Sequence, residues 1–206
     1  MERVDGTRGG ALGLVGLLLL ISLTAACGKA APVASADKHE KPPSTGIVGR
    51  WERTVTCPEL TSALTTAGLG ATARYAWPSQ TSSNGESSFA PGSPTPTRAR
   101  PCTGALARSH EHFFDAAGSF GSLDWLGGQV DDGTYQQAGS DTLRIGAVTF
   151  RFRIVDGNTL FLTPELTPAM VRTANTHPDD YSDAAWAVSV AYPGHAWKRV
   201  PCDGRC

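Results

Sequence analysis

The chain has 206 residues, 40% of them hydrophobic and 18% charged, with a formal net charge of −1. That length and balance suit one folded domain with a proper core. No basic stripe and no acidic block interrupts it, which argues against nucleic acid as a partner and against a charged interaction tail.

Residues 1–26 read as a targeting segment. Arg3 and Arg8 make a weakly basic start, and Ala11 to Leu23 is an apolar run of thirteen residues. A membrane-spanning helix needs roughly 20. The run ends in Leu23-Thr24-Ala25-Ala26-Cys27-Gly28. This ending resembles the lipobox of bacterial lipoproteins, with Thr24 where that family usually has leucine and Leu23 one place earlier. The resemblance implies cleavage between Ala26 and Cys27 and a palmitate-type lipid anchor on Cys27. It also implies a location at the cell membrane, facing the extracytoplasmic side. Several acyl chains on one residue hold a soluble domain at a bilayer far better than one chain does. The plainer alternative is an ordinary secretory signal. Residues 27–46 then form a flexible tether carrying Pro32, Pro42 and Pro43, about 60 Å long when fully extended. His39 reads as a solvated tether residue.

With Cys27 set aside, Cys57, Cys102, Cys202 and Cys206 remain, an even number for an oxidising compartment. Cys57–Cys102 with Cys202–Cys206 is the favoured pairing, one bridge pinning a long excursion and the other closing a small terminal loop. The spacing lacks the usual two-residue separation of zinc ligands.

The domain spans residues 47–206. Residues 47–56 alternate as a first strand, with Trp51, Arg53 and Val55 on one face. Pro58 to Leu69 reads as a short helix with an apolar stripe of Leu60, Ala63, Leu64 and Ala67, placed to plug one end of the fold. Residues 76–100, rich in Ser, Pro, Gly and Thr, read as a disordered loop. From Leu106 to Leu162, short apolar runs are cut by Ala-Gly, Gly-Gly, Asp-Gly, Gly-Ser-Asp and Asp-Gly-Asn. That is a meander of about six strands. Residues 163–178 are irregular and broken by prolines. Asp183 to Tyr192, after Ser182 as N-cap, leans to helix, and His195 to Val200 returns as the last strand.

Gly49-Arg50-Trp51, opening such a meander, resembles the Gly-X-Trp signature of lipocalins and related calycin barrels. In that family a basic residue near the last strand lies across the tryptophan; Lys198 and Arg199 are the positions that match, and Arg199 is taken as the structural partner of Gly49 and Trp51. The resemblance implies a mainly β fold, an antiparallel up-and-down meander closing into a barrel of about eight strands with one or two short helices. It covers roughly residues 47–57, 105–163 and 195–200.

Catalytic signatures are missing: there is no Gly-X-Ser-X-Gly elbow, no phosphate loop and no dinucleotide fingerprint. The expectation is therefore a protein that is not an enzyme and has no cofactor. His110-Glu111-His112 fails as a zinc-protease motif because Phe114 stands where the second histidine belongs. On a strand, His110 and His112 share a side and could hold a metal with His177 or His195. The preferred reading puts both on the solvent face, with Phe113 in the core. Asp131-Asp132-Gly133 and Asp156-Gly157-Asn158 read as turns rather than calcium loops. The leading function is binding of a small apolar or amphipathic ligand inside the barrel, with Phe114, Trp125, Tyr135 and Phe152 as candidate lining. The alternatives are an interaction lipoprotein with a filled barrel, whose protein partner the sequence leaves unknown, and a metal protein using His110 and His112.

Overall fold

In the computed structural model, residues 46–77 and 82–206 are described. The targeting segment, Cys27 and the tether up to residue 45 lie outside the described residues. Eight antiparallel strands form a closed barrel in sequence order. β1 (Gly49–Val55) is followed by α1 (Cys57–Thr66) and α2 (Ala73–Ala76). The meander then runs β2 (Arg108–Phe114), β3 (Ser119–Leu123), β4 (Gln129–Gln137), β5 (Thr142–Ile145), β6 (Val148–Val155) and β7 (Thr159–Pro164). After α3 (Pro168–Thr176) and α4 (Asp183–Ala191), β8 (Trp197–Val200) closes the sheet against β1, with Trp51 opposite Arg199.

The inner face follows the period of two that pleated strands impose. Trp51 and Val55 from β1, His112 and Phe114 from β2, Phe120 from β3 and Leu143 and Ile145 from β5 are buried. Phe150, Phe152, Leu160, Leu162 and Trp197 complete that ring from β6, β7 and β8. The six strands expected between Leu106 and Leu162 are present, but two turns differ. Asp132 and Gly133 lie inside β4, paired with Gly121 and Phe120, so Asp131-Asp132-Gly133 is not a turn. The missing turn is Gly146-Ala147, a two-residue hairpin loop between β5 and β6 in which Gly146 has φ +55°. A glycine with positive φ at the first loop position matches the twist of the flanking strands.

In an up-and-down barrel, alternate connections lie at the same end. The β1–β2 and β7–β8 connections therefore share an end, and all four helices of the described residues sit in those two connections. That end is the mouth. α1 starts with Thr56 as N-cap, its hydroxyl accepting from the Glu59 amide at 3.4 Å, and it buries Leu60 and Leu64 as its stripe predicts. Two short helices at most were expected; α2 and α3 are additional, α3 falling in the stretch read as irregular. There, Thr167 caps the helix ahead of Pro168 and Ala174 is buried. The loop expected to be disordered carries isolated bridges Phe89–Ala105 and Thr97–Arg100 in its described part. Both disulfides form as paired in the sequence, Cys57–Cys102 and Cys202–Cys206.

Candidate functional site

The end opposite the mouth is closed by Trp51. Its indole donates to the Ile47 carbonyl at 2.8 Å, and the Arg199 guanidinium lies over its ring, 4.1 Å from the centroid. Arg199 also donates to the carbonyls of Val48, Gly46 and Gly157 at 2.7, 2.8 and 2.8 Å. Gly49 has φ +148°, and a Cβ on it would collide with the Arg199 guanidinium. The glycine of the Gly-X-Trp segment is thus explained by how closely the arginine approaches the backbone. Lys198 points elsewhere and donates to the Thr159 hydroxyl at 2.8 Å.

The mouth is filled by α4. Ser182 caps its start, and six of its nine residues are buried alanines and valines. A helix that is apolar on nearly every side belongs inside a protein, and small side chains let this one enter a barrel mouth. The last carbonyls of a helix have no partner within it; here side chains of the barrel supply them. His112 donates from Nε2 to the Val190 carbonyl at 2.9 Å, and the Trp197 indole donates to the Ala191 carbonyl at 3.1 Å. Tyr192 ends the helix in the left-handed region, with φ +44°.

His112 is fully buried, which corrects the solvent-face reading. His110, His112 and Phe114 alternate inward, whereas Phe113 lies half-buried on the outer face, where its ring covers Gly121. The physical reason is that α4 offers the bare Val190 carbonyl to the inner face, so the His112 imidazole belongs there, and His110 shares its face by the two-residue period of the strand. Because a carbonyl only accepts, Nε2 of His112 carries the proton; Nδ1 of the neutral ring then accepts from the Ser122 hydroxyl at 2.9 Å. Burial holds this imidazole well below its ordinary pKa. His110 lies beside it, ring centroids 5.0 Å apart. Burial pushes His110 down to about 4, only partly opposed by Asp124. No group of three metal-binding side chains forms among the described residues, and both nitrogens of His112 are committed. His195 approaches Glu59 at 3.7 Å instead.

The four residues expected to line a ligand cavity do not come together around one. Phe114 and Phe152 are buried in the core. Trp125 stacks under Arg108, 4.6 Å from its ring centroid, and Tyr135 donates its hydroxyl to the Asp115 carbonyl at 2.7 Å. The cavity instead lies at the mouth, a cleft of about 590 Å³ between α4 and the rims of β1, β2 and β4. His110, Asp131, Tyr181, Trp186, Ser189 and Tyr192 border it. Trp186 donates its indole N–H to Asp131 at 2.7 Å, and its ring forms T-shaped contacts with Phe120 and Phe150. Tyr181 and Ser189 share a hydrogen bond at the rim. Below Tyr192, Arg53 stacks on its ring at 4.7 Å and pairs with Glu59 at 3.2 Å. Burial raises the pKa of Asp131 and of Tyr192.

Of these residues, only His110 was singled out as a site residue by the sequence. The signal for Asp131 was there: in Gln129-Val130-Asp131-Asp132-Gly133-Thr134-Tyr135 it shares a strand face with Gly133 and Tyr135, but Asp-Gly suggested a turn. Trp186 and Ser189 follow from the helical spacing of α4, which brings both to one side. A neutral imidazole, a carboxylate held by an indole and three aromatic rings form an arrangement suited to holding a molecule. No family model, no curated protein and no solved structure matches this chain.

Proposed function

We propose that this chain is a lipid-anchored extracytoplasmic recognition protein, in which a filled, lipocalin-like barrel presents the α4 cleft as its binding surface. The observation that carries this reading is α4 occupying the barrel mouth, its end carbonyls bonded to His112 and Trp197. A carrier of the lipocalin type needs that space for its ligand, whereas here Phe120, Phe150 and Trp186 are packed together within it. The Arg199–Trp51 stack beneath Gly49 supports the lipocalin likeness. The apolar run before Cys27 supports anchoring by a lipid on that thiol.

Two measurements test the reading. Labelled palmitate fed to the producing bacterium is expected to enter the wild-type chain and not a Cys27→Ala variant. Native and denaturing mass spectrometry of the purified chain is expected to give equal masses, after removal of detergent. An apolar molecule released only on denaturation would favour an interior carrier, and an unlabelled Cys27 would leave a secreted domain instead.

A further inference from the structure

Asp131 is a half-buried carboxylate without a cationic partner among the described residues. One oxygen accepts from Trp186 at 2.7 Å. Ser122 is within hydrogen-bonding reach, but its single proton is drawn to His112 by the tautomer that Val190 imposes. The carboxylate therefore keeps most of its charge uncompensated in a low-dielectric wall, which is costly. No lysine or arginine borders the cleft among the described residues. Arg53, the guanidinium near Tyr192, is neutralised by Glu59. The one basic group on the lining is His110, whose ring no hydrogen bond reaches among the described residues.

Three aromatic rings complete the lining: Trp186 from within α4, Tyr192 at its end and Tyr181 at the rim, half exposed. The face of an aromatic ring carries partial negative charge and attracts cations, tryptophan most strongly. Donating the indole N–H to a carboxylate pushes further electron density onto the ring of Trp186. Carboxylate and ring thus act in the same direction. An anion would meet Asp131 with nothing to offset it, and a neutral apolar molecule would leave Asp131 desolvated and still unpaired.

Resting on the reading of the α4 cleft as a binding surface, we infer that this cleft binds a small organic cation, an amine or quaternary ammonium group seated between Asp131 and the rings of Trp186 and Tyr181. No covalent step is involved.

The test is calorimetric titration of the full chain in non-ionic detergent with choline and with dimethylbutanol, in which a quaternary carbon replaces the nitrogen. Choline is expected to bind at least about tenfold tighter than its neutral isostere, the scale of a desolvated cation–π contact with a carboxylate nearby. Asp131→Asn is expected to remove that preference while dimethylbutanol still binds, which serves as the check that the cleft is intact. Tyr181→Ala, at an exposed rim position that the core does not need, is expected to weaken choline several-fold. Equal binding of the two probes, or choline binding unchanged in Asp131→Asn, overturns the cation assignment and leaves the cleft as a recognition surface of another chemistry. Absence of binding by either probe also overturns it, while the filled barrel and the anchor are judged separately by the mass and palmitate measurements.

Discussion

The imidazole of His112 and the carbonyl of Val190 form a 2.9 Å hydrogen bond that joins β2 to the last turn of α4, 78 residues later in the chain. A further group depends on it, because the tautomer it sets also orients Ser122. Replacing His112 by leucine leaves the Val190 carbonyl buried without its side-chain partner and leaves the Ser122 hydroxyl only Asp131 within reach. An unpartnered buried carbonyl costs about 1–3 kcal/mol. His112→Leu is therefore expected to lower stability by about 1–3 kcal/mol in urea titration. It is also expected to speed hydrogen exchange at the amides of α4 more than at those of β6. A uniform loss of protection across the barrel would mean that His112 does not hold α4 in particular.

The two histidines also set a pH dependence. In the unfolded chain each takes up a proton near pH 6.5; in the fold His110 does so only at about 4, and burial holds His112 well below its ordinary value. Across that window the unfolded state binds more protons, so stability is complete above about 6.5 and falls as the pH drops through the window. His110 alone contributes on the order of 3 kcal/mol to that loss. Asp131 has the opposite sign, since its raised pKa favours the fold at low pH and offsets part of the decline. Urea midpoints measured between pH 7 and about 4.5 should fall steeply in the wild type, and less in His110→Gln. A flat wild-type profile would contradict the burial of both rings.

These dependences also mark where the sequence could and could not be read. Period-two alternation and glycine-containing turns identified the strands, because both signals are local. Two turns of the meander depart from the local signals and offset each other in the strand count: Asp132-Gly133 looks like a turn but is strand, and Gly146-Ala147 is a turn flanked by the apolar residues Ile145 and Val148. The face of β2 differs from its local pattern for another reason. His110 and His112 are polar residues that alternate with Glu111 and Phe113, and local pattern places such polar residues outside. His112 points inward because the Val190 carbonyl of α4 awaits it, a long-range fact that no short window contains, and His110, two residues away on the same strand, shares that face. The cleft was hidden in the same way, since Asp131, Trp186 and Tyr192 meet only after the barrel closes over α4.

At the opposite end, Gly49 and Arg199 can be tested as a pair. Arg199 donates to three backbone carbonyls while stacking on Trp51. A lysine keeps the charge and loses the fork that reaches all three. Arg199→Lys is expected to cost about 1–2 kcal/mol and Arg199→Ala about 2–3 kcal/mol. Gly49→Ala should cost a comparable amount through the collision with Arg199. In Gly49→Ala/Arg199→Ala the collision is gone, so the double variant should be more stable than the sum of the single losses. Strict additivity in thermal or urea unfolding would show that φ at Gly49, and not the arginine, demands the glycine.

The two disulfides should differ sharply in what they contribute. Cys57–Cys102 closes a loop with a sequence separation of 45 and joins the buried start of α1 to the segment leading into β2. Restricting the unfolded chain over such a loop contributes about 4 kcal/mol. Cys202–Cys206 closes a ring with a separation of only 4, and all of its residues are exposed. That ring touches the barrel through Asp203 on Arg50 and through Arg205, which donates to the Gly127 carbonyl at 3.5 Å. Reducing it frees a tail whose order the barrel does not require. Cys57→Ser/Cys102→Ser is therefore expected to lower the urea midpoint strongly and to loosen α1 against α4. Cys202→Ser/Cys206→Ser should leave the midpoint nearly unchanged, with a change in exchange confined to the neighbourhood of Gly127. A large loss in the second variant would mean that the terminal ring braces the β3–β4 turn, and with it the Asp124 carboxylate that accepts from the amides of Leu126 and Gly128 beside the cleft.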